Sequence, residues 1–253
     1  MRLGISALLF NIDEALELCK QIDYINHIEI GIDNLDECLI LNKYKHEFRK
    51  LGLSIGIHLP MELNPCENIK YIQNSWVDFI KQLEESLHEF NIEYFNMHLG
   101  YVISERLNKN RIKYLDNSIE FFEKLLEKTN SNISIENTYS KGGDFSNIGY
   151  IGEDFEFLFN KIDNTKLVFC YDTGHCLINK SDYIDKLKDR LIIVHLSDND
   201  GINDSHLGIG RGIIQESEIE KLINLDLNYL VLEINYNHIK DTLDKLSKMK
   251  RGV

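Results

Sequence analysis

The chain has little of what marks a linker, a disulfide framework, a membrane segment or a nucleic-acid surface. Proline occurs only at Pro60 and Pro65 in 253 residues, and no low-complexity stretch interrupts the sequence, so nothing suggests a second module. The five cysteines, Cys19, Cys38, Cys66, Cys170 and Cys176, are odd in number and form no CxxC pair. The N-terminus, MRLGISALLFNIDEAL, has no long apolar stretch. Both features point to reduced thiols in a cytoplasmic protein. Cys176, beside His175, is read as a small buried residue, and all five cysteines are left out of the site. No apolar run reaches the length of about eighteen residues that spans a bilayer, so no membrane partner is expected. Basic residues are also scarce, with 28 Lys and Arg against 41 Asp and Glu and a net charge of -13. That balance disfavours DNA and anionic lipid as non-specific partners, although a cluster of metal ions can hold a phosphate on an acidic protein.

What is present is ordinary for a globular enzyme: 43% hydrophobic and 27% charged residues exclude disorder and fibrous classes. The length suits one barrel domain over residues 1–253. Eight β-rich runs lie near Leu3–Ala7, His27–Gly31, Leu53–Leu59, Tyr94–Leu99, Ile133–Asn137, Leu167–Asp172, Leu191–Leu196 and Tyr229–Ile234. Helical periodicity fills the intervals. In Ile69–Phe90, for example, Ile72, Trp76, Phe79, Ile80, Leu83 and Leu87 recur every three or four residues. Eight βα units predict an α/β protein, a closed (β/α)8 TIM barrel, which gathers its strand ends at one point as an open sheet does not. Both prolines fall in HLPMELNPCEN, read as part of the site rim. NTYSKGGDFSNIGYIGED and SDNDGINDSHLGIGRG, rich in Gly, Asn, Asp and Ser, are read as mobile loops over the site.

The informative feature is where histidines and carboxylates stand. His58, His98, Glu136, Asp172, His175, His195, Asp204, His206 and Glu233 follow the apolar runs, so a barrel brings them together at the C-terminal ends of its strands. His27, His46, His88 and His238 lie outside this set and receive no role. One histidine at a strand end is usually structural; the joint pattern points to metal. Imidazole with carboxylate suits Zn²⁺, Mn²⁺, Fe²⁺ or Co²⁺ better than Ca²⁺ or Mg²⁺. Four carboxylates in one pocket repel each other unless cations compensate them, and nine ligands exceed one tetrahedral shell. One to three ions are expected, zinc first. The competing reading keeps a single ion, with the remaining residues orienting its ligands.

These motifs carry a resemblance over the whole chain. IENT, YDTGH, VHLSDND, DSHLGIGRG and LEIN, with IHLP and MHLG, resemble the metal-ligand motifs of the xylose-isomerase-like barrel superfamily that includes endonuclease IV. The endonuclease resemblance implies three zinc ions, held by all nine residues, and cleavage of DNA at abasic sites. The superfamily also includes sugar isomerases and ketose 3-epimerases, and likeness to these implies a smaller set, Glu136, Asp172, His195 and Glu233, on one ion. HLSDNDG is closer to this second group.

The first expectation is therefore a divalent-metal-dependent sugar or sugar-phosphate isomerase or epimerase. Glu136 and Glu233 would move the proton, and His175 and Arg211 would hold substrate beside the close-approach glycines Gly208, Gly210 and Gly212. Lys141 is a weaker substrate-binding candidate. The alternative is an endonuclease IV-like zinc-dependent phosphodiester hydrolase, for which His58, His98, Asp204 and His206 speak. The acidic balance and the short His175–His195 connection speak against DNA as its substrate. Arg106, Lys109, Arg111 and Lys113 are read as the solvated start of a helix. A third class, a binder without turnover, is disfavoured by the intact ligand set. Barrels of this kind commonly self-associate, so a homo-oligomer is an associational expectation.

Overall fold

A computed structural model describes residues 1–250. Ten strands occur among these residues: β1 (Arg2–Leu8), β2 (Ile25–Gly31), β3 (Ser54–His58), β4 (Ile92–His98), β5 (Tyr101–Ile103), β6 (Asn132–Glu136), β7 (Phe145–Asn147), β8 (Leu167–Asp172), β9 (Leu191–Leu196) and β10 (Tyr229–Leu232). Eight of them close a parallel barrel in the order β1-β10-β9-β8-β6-β4-β3-β2. These eight are the runs expected from the sequence, with shifts only at their ends.

Because side chains alternate along a strand, each run splits into two faces. The Ile, Phe and Met positions of IEI, IGI, FNM and ISI pack outward under the helices and form the main core, with Ile28, Ile30, Ile57, Phe95 and Ile135 fully buried. The other face is polar or small, and register aligns it around the barrel. Gly4 pairs with His27 and His27 with Ser54. His98 is aligned with Glu136, and Asp172 with His195. A smaller apolar cluster, Tyr94, Cys170, Ile193, Tyr229 and Val231, fills the lumen below. The ligand layer thus follows from register.

The helix Arg111–Lys128 begins at Asn110, whose side chain accepts from the Lys113 N–H, and buries Tyr114, Leu115, Phe121, Phe122 and Leu125. Two expectations need correction here. The Glu105–Lys113 segment is not simply solvated, because Arg111 grips the buried Asp154 with two bonds, Nε to Oδ1 at 2.6 Å and Nη2 to Oδ2 at 2.5 Å. Asp154 also accepts from the Gly149 N–H. The loop after β6 is not wholly irregular either, since β7 within it pairs antiparallel with β5. This strap ties the loops after β4 and β6 together above the barrel mouth. No helix among the described residues is long and apolar enough to cross a membrane, and all five cysteines are free and buried.

Candidate metal centre

All nine sequence-predicted metal-ligand candidates stand at the C-terminal mouth of the barrel, although not in one shell. Among the described residues, three groups draw their donor atoms within 4.8 Å of one another at the site: one includes the thiol of Cys170 with Glu136 and His195, and two are drawn wholly from the sequence-predicted set, Glu136, Asp172, His195 and Glu233, and His58, His98 and Glu136. Glu136 is common to all three. Its Oε1 lies 3.4 Å from His98 Nε2 and 3.3 Å from His175 Nδ1. Its Oε2 lies 3.5 Å from His58 Nε2 and 3.3 Å from His195 Nδ1. His175, Asp204 and His206 form a looser arm. Asp204 Oδ2 sits 3.1 Å from His175 Nε2 and 3.6 Å from His206 Nε2.

Hydrogen bonds outside the centre decide which imidazole nitrogen faces it. His58 donates from Nδ1 to its neighbour, the Leu59 carbonyl, at 2.9 Å. His175 donates from Nδ1 to the Asn137 carbonyl at 2.8 Å and His206 from Nδ1 to the Glu233 carbonyl at 3.1 Å. This turns Nε2 of His58 inward to Glu136 and Nε2 of His175 and His206 to Asp204, while His175 Nδ1 itself also lies 3.3 Å from Glu136 Oε1. His195 is reversed: Nε2 donates to Glu29 Oε2 at 3.0 Å, and Nδ1 faces inward. Imidazoles aimed at carboxylates are, once their inward protons are given up, the donor set a divalent cation requires. Buried polar atoms without a partner mark the same place: His195 Nδ1, Asp172 Oδ2 and Asp204 Oδ1. The residues present therefore fit a metal centre.

Local chain geometry serves it. Asp172 ends β8 and caps the short helix Thr173–Ile178, its Oδ1 accepting from the His175 N–H at 2.6 Å, so Oδ2 alone remains for the centre. His206 adopts φ 45°, a left-handed conformation costing a non-glycine residue on the order of 1 kcal/mol or more. The paired N–H and C=O groups of Asp198 and Leu207 hold it there at 2.8 and 2.9 Å.

The electrostatics oppose leaving these groups uncompensated. Burial, and the negative charges of Glu233 and Glu136 against the pull of His175, raise Asp172 to about 7. Burial would also raise Glu136, but the positive charges of His195 and His98 hold it well below the usual carboxylate range. His58 reaches about 9: burial works against its charged form, and the hydrogen bond and charge of Glu136 outweigh it. A cation must displace such protons, so its affinity rises with pH. Cys170 Sγ is near His195 and Glu136, but burial pushes its thiol well above the ordinary value, and it remains a protonated filler.

Sequence reasoning missed three residues. Glu29 is a buried carboxylate inside β2, and Asn96 donates its amide to Glu136 Oε2. Asp198, fully buried, accepts from the N–H groups of Gly210, Gly212 and Ile214 at 3.0, 2.8 and 3.0 Å and organises the loop that carries Asp204 and His206. The signal was available: Glu29 and Asn96 occupy alternate positions inside apolar strands, where a polar residue needs a reason. His27, given no role, is fully buried in the same lumen, donating to Tyr94 at 2.9 Å and accepting from Ser54 at 2.8 Å.

His27 has a pH consequence. Burial, then the charges of Arg2 and His195, lower it from 6.5 to about 3. Below about pH 6.5 the unfolded chain gains a proton that the folded chain refuses. This group therefore removes about 1.4 kcal/mol of stability per pH unit as pH falls, until about pH 3 is reached. In urea titrations from pH 7 to 4, His27→Gln should flatten the loss of stability relative to the parent. Parallel curves for the two proteins would refute this assignment.

The centre forms the floor of a cavity of about 880 Å³ lined by Glu29, His58, His98, Glu136, His175 and Glu233, with Phe10, Met61, Asn11 and Asn235 nearer the rim. Among the described residues none of those lining it is Lys or Arg. Arg211 is not brought to the cavity; it is exposed and pairs with Asp241 at 3.0 Å. Lys141 lies outside as well, over the Tyr139 ring.

A family model for xylose isomerase-like TIM barrels matches residues 31–251. An uncharacterized protein of Methanocaldococcus jannaschii is 25% identical over 259 residues, covering 99% of this chain and 90% of its own. A probable endonuclease 4 of Mycoplasmopsis pulmonis is 24% identical over 200 residues, covering 72% of this chain and 70% of its own. Among solved structures, a D-tagatose 3-epimerase-like protein superposes with a TM-score of 0.84 at 23% identity, covering 99% of this chain and 97% of that one. At that identity the superposition establishes the shared fold.

Proposed function

The chain belongs to the xylose isomerase-like TIM-barrel family, and from that premise we propose that it is a divalent-metal-dependent isomerase or epimerase acting on a small, neutral sugar. One observation carries this reading. Glu136 and Glu233, from the strand ends of β6 and β10, approach His195 Nδ1 at 3.3 and 3.0 Å on the floor of a small cavity without a lining cation. Asp172 and His195 stand on β8 and β9 between them. Glu136, Asp172, His195 and Glu233 would hold the ion, zinc first, with Mn²⁺, Fe²⁺ or Co²⁺ as alternatives. When bound, the ion supplies Lewis-acid polarisation of two adjacent substrate oxygens and so acidifies the C–H between them.

The rest is the work of side chains. The glutamates flank His195 from β6 and β10, and in this reading one would remove the proton from the substrate carbon and the other return it. Glu233 is the more accessible, 25% exposed against 1% for Glu136, and takes the first role. His175 lines the cavity with Nδ1 on the Asn137 carbonyl and Nε2 on Asp204, and would hold a substrate hydroxyl by exchanging the Asp204 contact. With no Lys or Arg in the lining, and Glu14 and Asp33 near the rim, the distal part of the cavity disfavours a phosphate. This narrows the substrate from sugar or sugar phosphate to the unphosphorylated sugar.

A specific observation favours a second reading, phosphodiester hydrolysis using more than one ion: His58 and His98 join Glu136 in a separate ligand group. The test is an elemental analysis of protein purified without added metal, followed by ketoses, aldoses and their phosphates in deuterated water. Carbon-bound deuterium appearing in a neutral sugar, faster than in its phosphate, is the expected result. No exchange in any sugar, together with turnover of bis(p-nitrophenyl) phosphate, would refute the isomerase reading.

A further inference from the structure

We infer that Glu29 is a positioning residue for the metal centre: it fixes the proton of His195 on Nε2 and so turns the Nδ1 lone pair towards the ion. The inference rests on the metal-centre reading above. Glu29 is 2% exposed and belongs to neither ligand group, yet its Oε2 accepts from two donors, His195 Nε2–H at 3.0 Å and the Tyr94 hydroxyl at 2.6 Å. A carboxylate that only accepts determines where both protons lie. Since Tyr94 spends its proton on Glu29, His27 Nε2, 2.9 Å from the Tyr94 oxygen, must be the donor in that contact. His27 Nδ1 then accepts from the Ser54 hydroxyl at 2.8 Å. Ser54, His27 and Tyr94 thus donate in succession towards Glu29, and His195 donates to the same oxygen from the other side, so the chain through the lumen converges on that carboxylate.

A polar core network of this kind costs more than an apolar one unless every member is satisfied, and here the neighbouring strands make room for it. A Cβ on Gly56 would lie 2.4 Å from Tyr94 Cζ, and one on Gly4 would lie 2.8 Å from His27 Cδ2. Register puts Gly56 beside both Glu29 and Tyr94, and Gly4 beside His27. The alternative role, filling the lumen, explains neither the convergence on one carboxylate oxygen nor the unpartnered His195 Nδ1 at its far end. An imidazole backed by a carboxylate is held in one orientation and is a stronger donor through its other nitrogen.

The experiment uses the full chain and zinc alone, competed against a chromophoric chelator, with thermal unfolding of each metal-free protein measured alongside. Glu29→Ala should weaken the central zinc by about 10- to 100-fold, while zinc at the His58 and His98 position is unaffected. Glu29→Gln keeps an acceptor oxygen but loses the charge, so its affinity should fall between those of the parent and Glu29→Ala. If Glu29→Ala does not fold, Glu29→Gln and Tyr94→Phe, which frees Glu29 from its anchor, carry the test. A merely structural Glu29 would lower the unfolding midpoint and leave zinc affinity at the parental value, and that result overturns the inference while leaving the centre standing. A parent chain that binds no zinc overturns the centre itself.

Discussion

Glu233→Gln is expected to reduce solvent deuterium exchange into the substrate by about two to four orders of magnitude. The amide preserves the shape of the carboxylate but cannot take up a proton at that position. Glu233 Oε2 lies 3.0 Å from His195 Nδ1 and its side chain is the more open of the two glutamates to the cavity, so it can meet both ion and substrate. Bound metal must be measured on the same sample, because the substitution also removes one negative ligand. Retention of most of the metal with exchange abolished separates proton transfer from ion loss. Glu136→Gln should behave differently. Glu136 belongs to both ligand groups and contacts four imidazoles, so its loss should empty the centre before the chemistry can be judged. An exchange rate unchanged in Glu233→Gln, with metal intact, would remove Glu233 from the reaction.

The barrel was legible because every strand carries its signal locally. Runs such as IGIH and FNMH state both the outward apolar face and the ligand at the strand end, and closure then requires the ligands to meet. The order of ligation was less legible. Nothing in the spacing of His58, His98 and Glu136 distinguishes a second ion from a positioning shell; that depends on which ring nitrogen is occupied by an outside acceptor, and the acceptors are main-chain carbonyls, Leu59 for His58 and, in the neighbouring arm, Asn137 for His175 and Glu233 for His206. The Arg211 expectation failed for a related reason. A glycine-flanked arginine in a loop after β9 looked poised over the cavity, but the loop is drawn back by Asp198, which binds three of its N–H groups, and Arg211 ends on Asp241. Glu29 was hidden by its setting: a lone acid between isoleucines resembles a surface alternation, and only closure of the barrel turns that face inward.

The double substitution His58→Ala, His98→Ala separates the two readings of the centre. Both imidazoles sit against Glu136 but outside the Glu136, Asp172, His195 and Glu233 group. Removing them should therefore lower bound zinc by one equivalent while the central ion stays. Under the isomerase reading, exchange should stay within about tenfold of the parent, because both rings meet only Glu136 of the proton-transfer pair, neither pairs with Glu233, and all four central ligands remain. Under the hydrolase reading, phosphodiester turnover should fall by at least about a hundredfold, since charge neutralisation shared among ions is lost as a unit. Stability provides an internal control. His58 and His98 line the open cavity, so truncating them opens no sealed void in the core, and a metal-free protein should unfold close to the parental midpoint. Relief of positive charge next to Glu136 also changes the proton count of the pocket: without these rings Glu136 loses the pull of His98, its proton affinity rises, and the pH at which the central ion is released should move upward. A fall in exchange as large as that in Glu233→Gln, with the central zinc retained, would place His58 or His98 in the proton-transfer path and rule out a purely four-ligand isomerase.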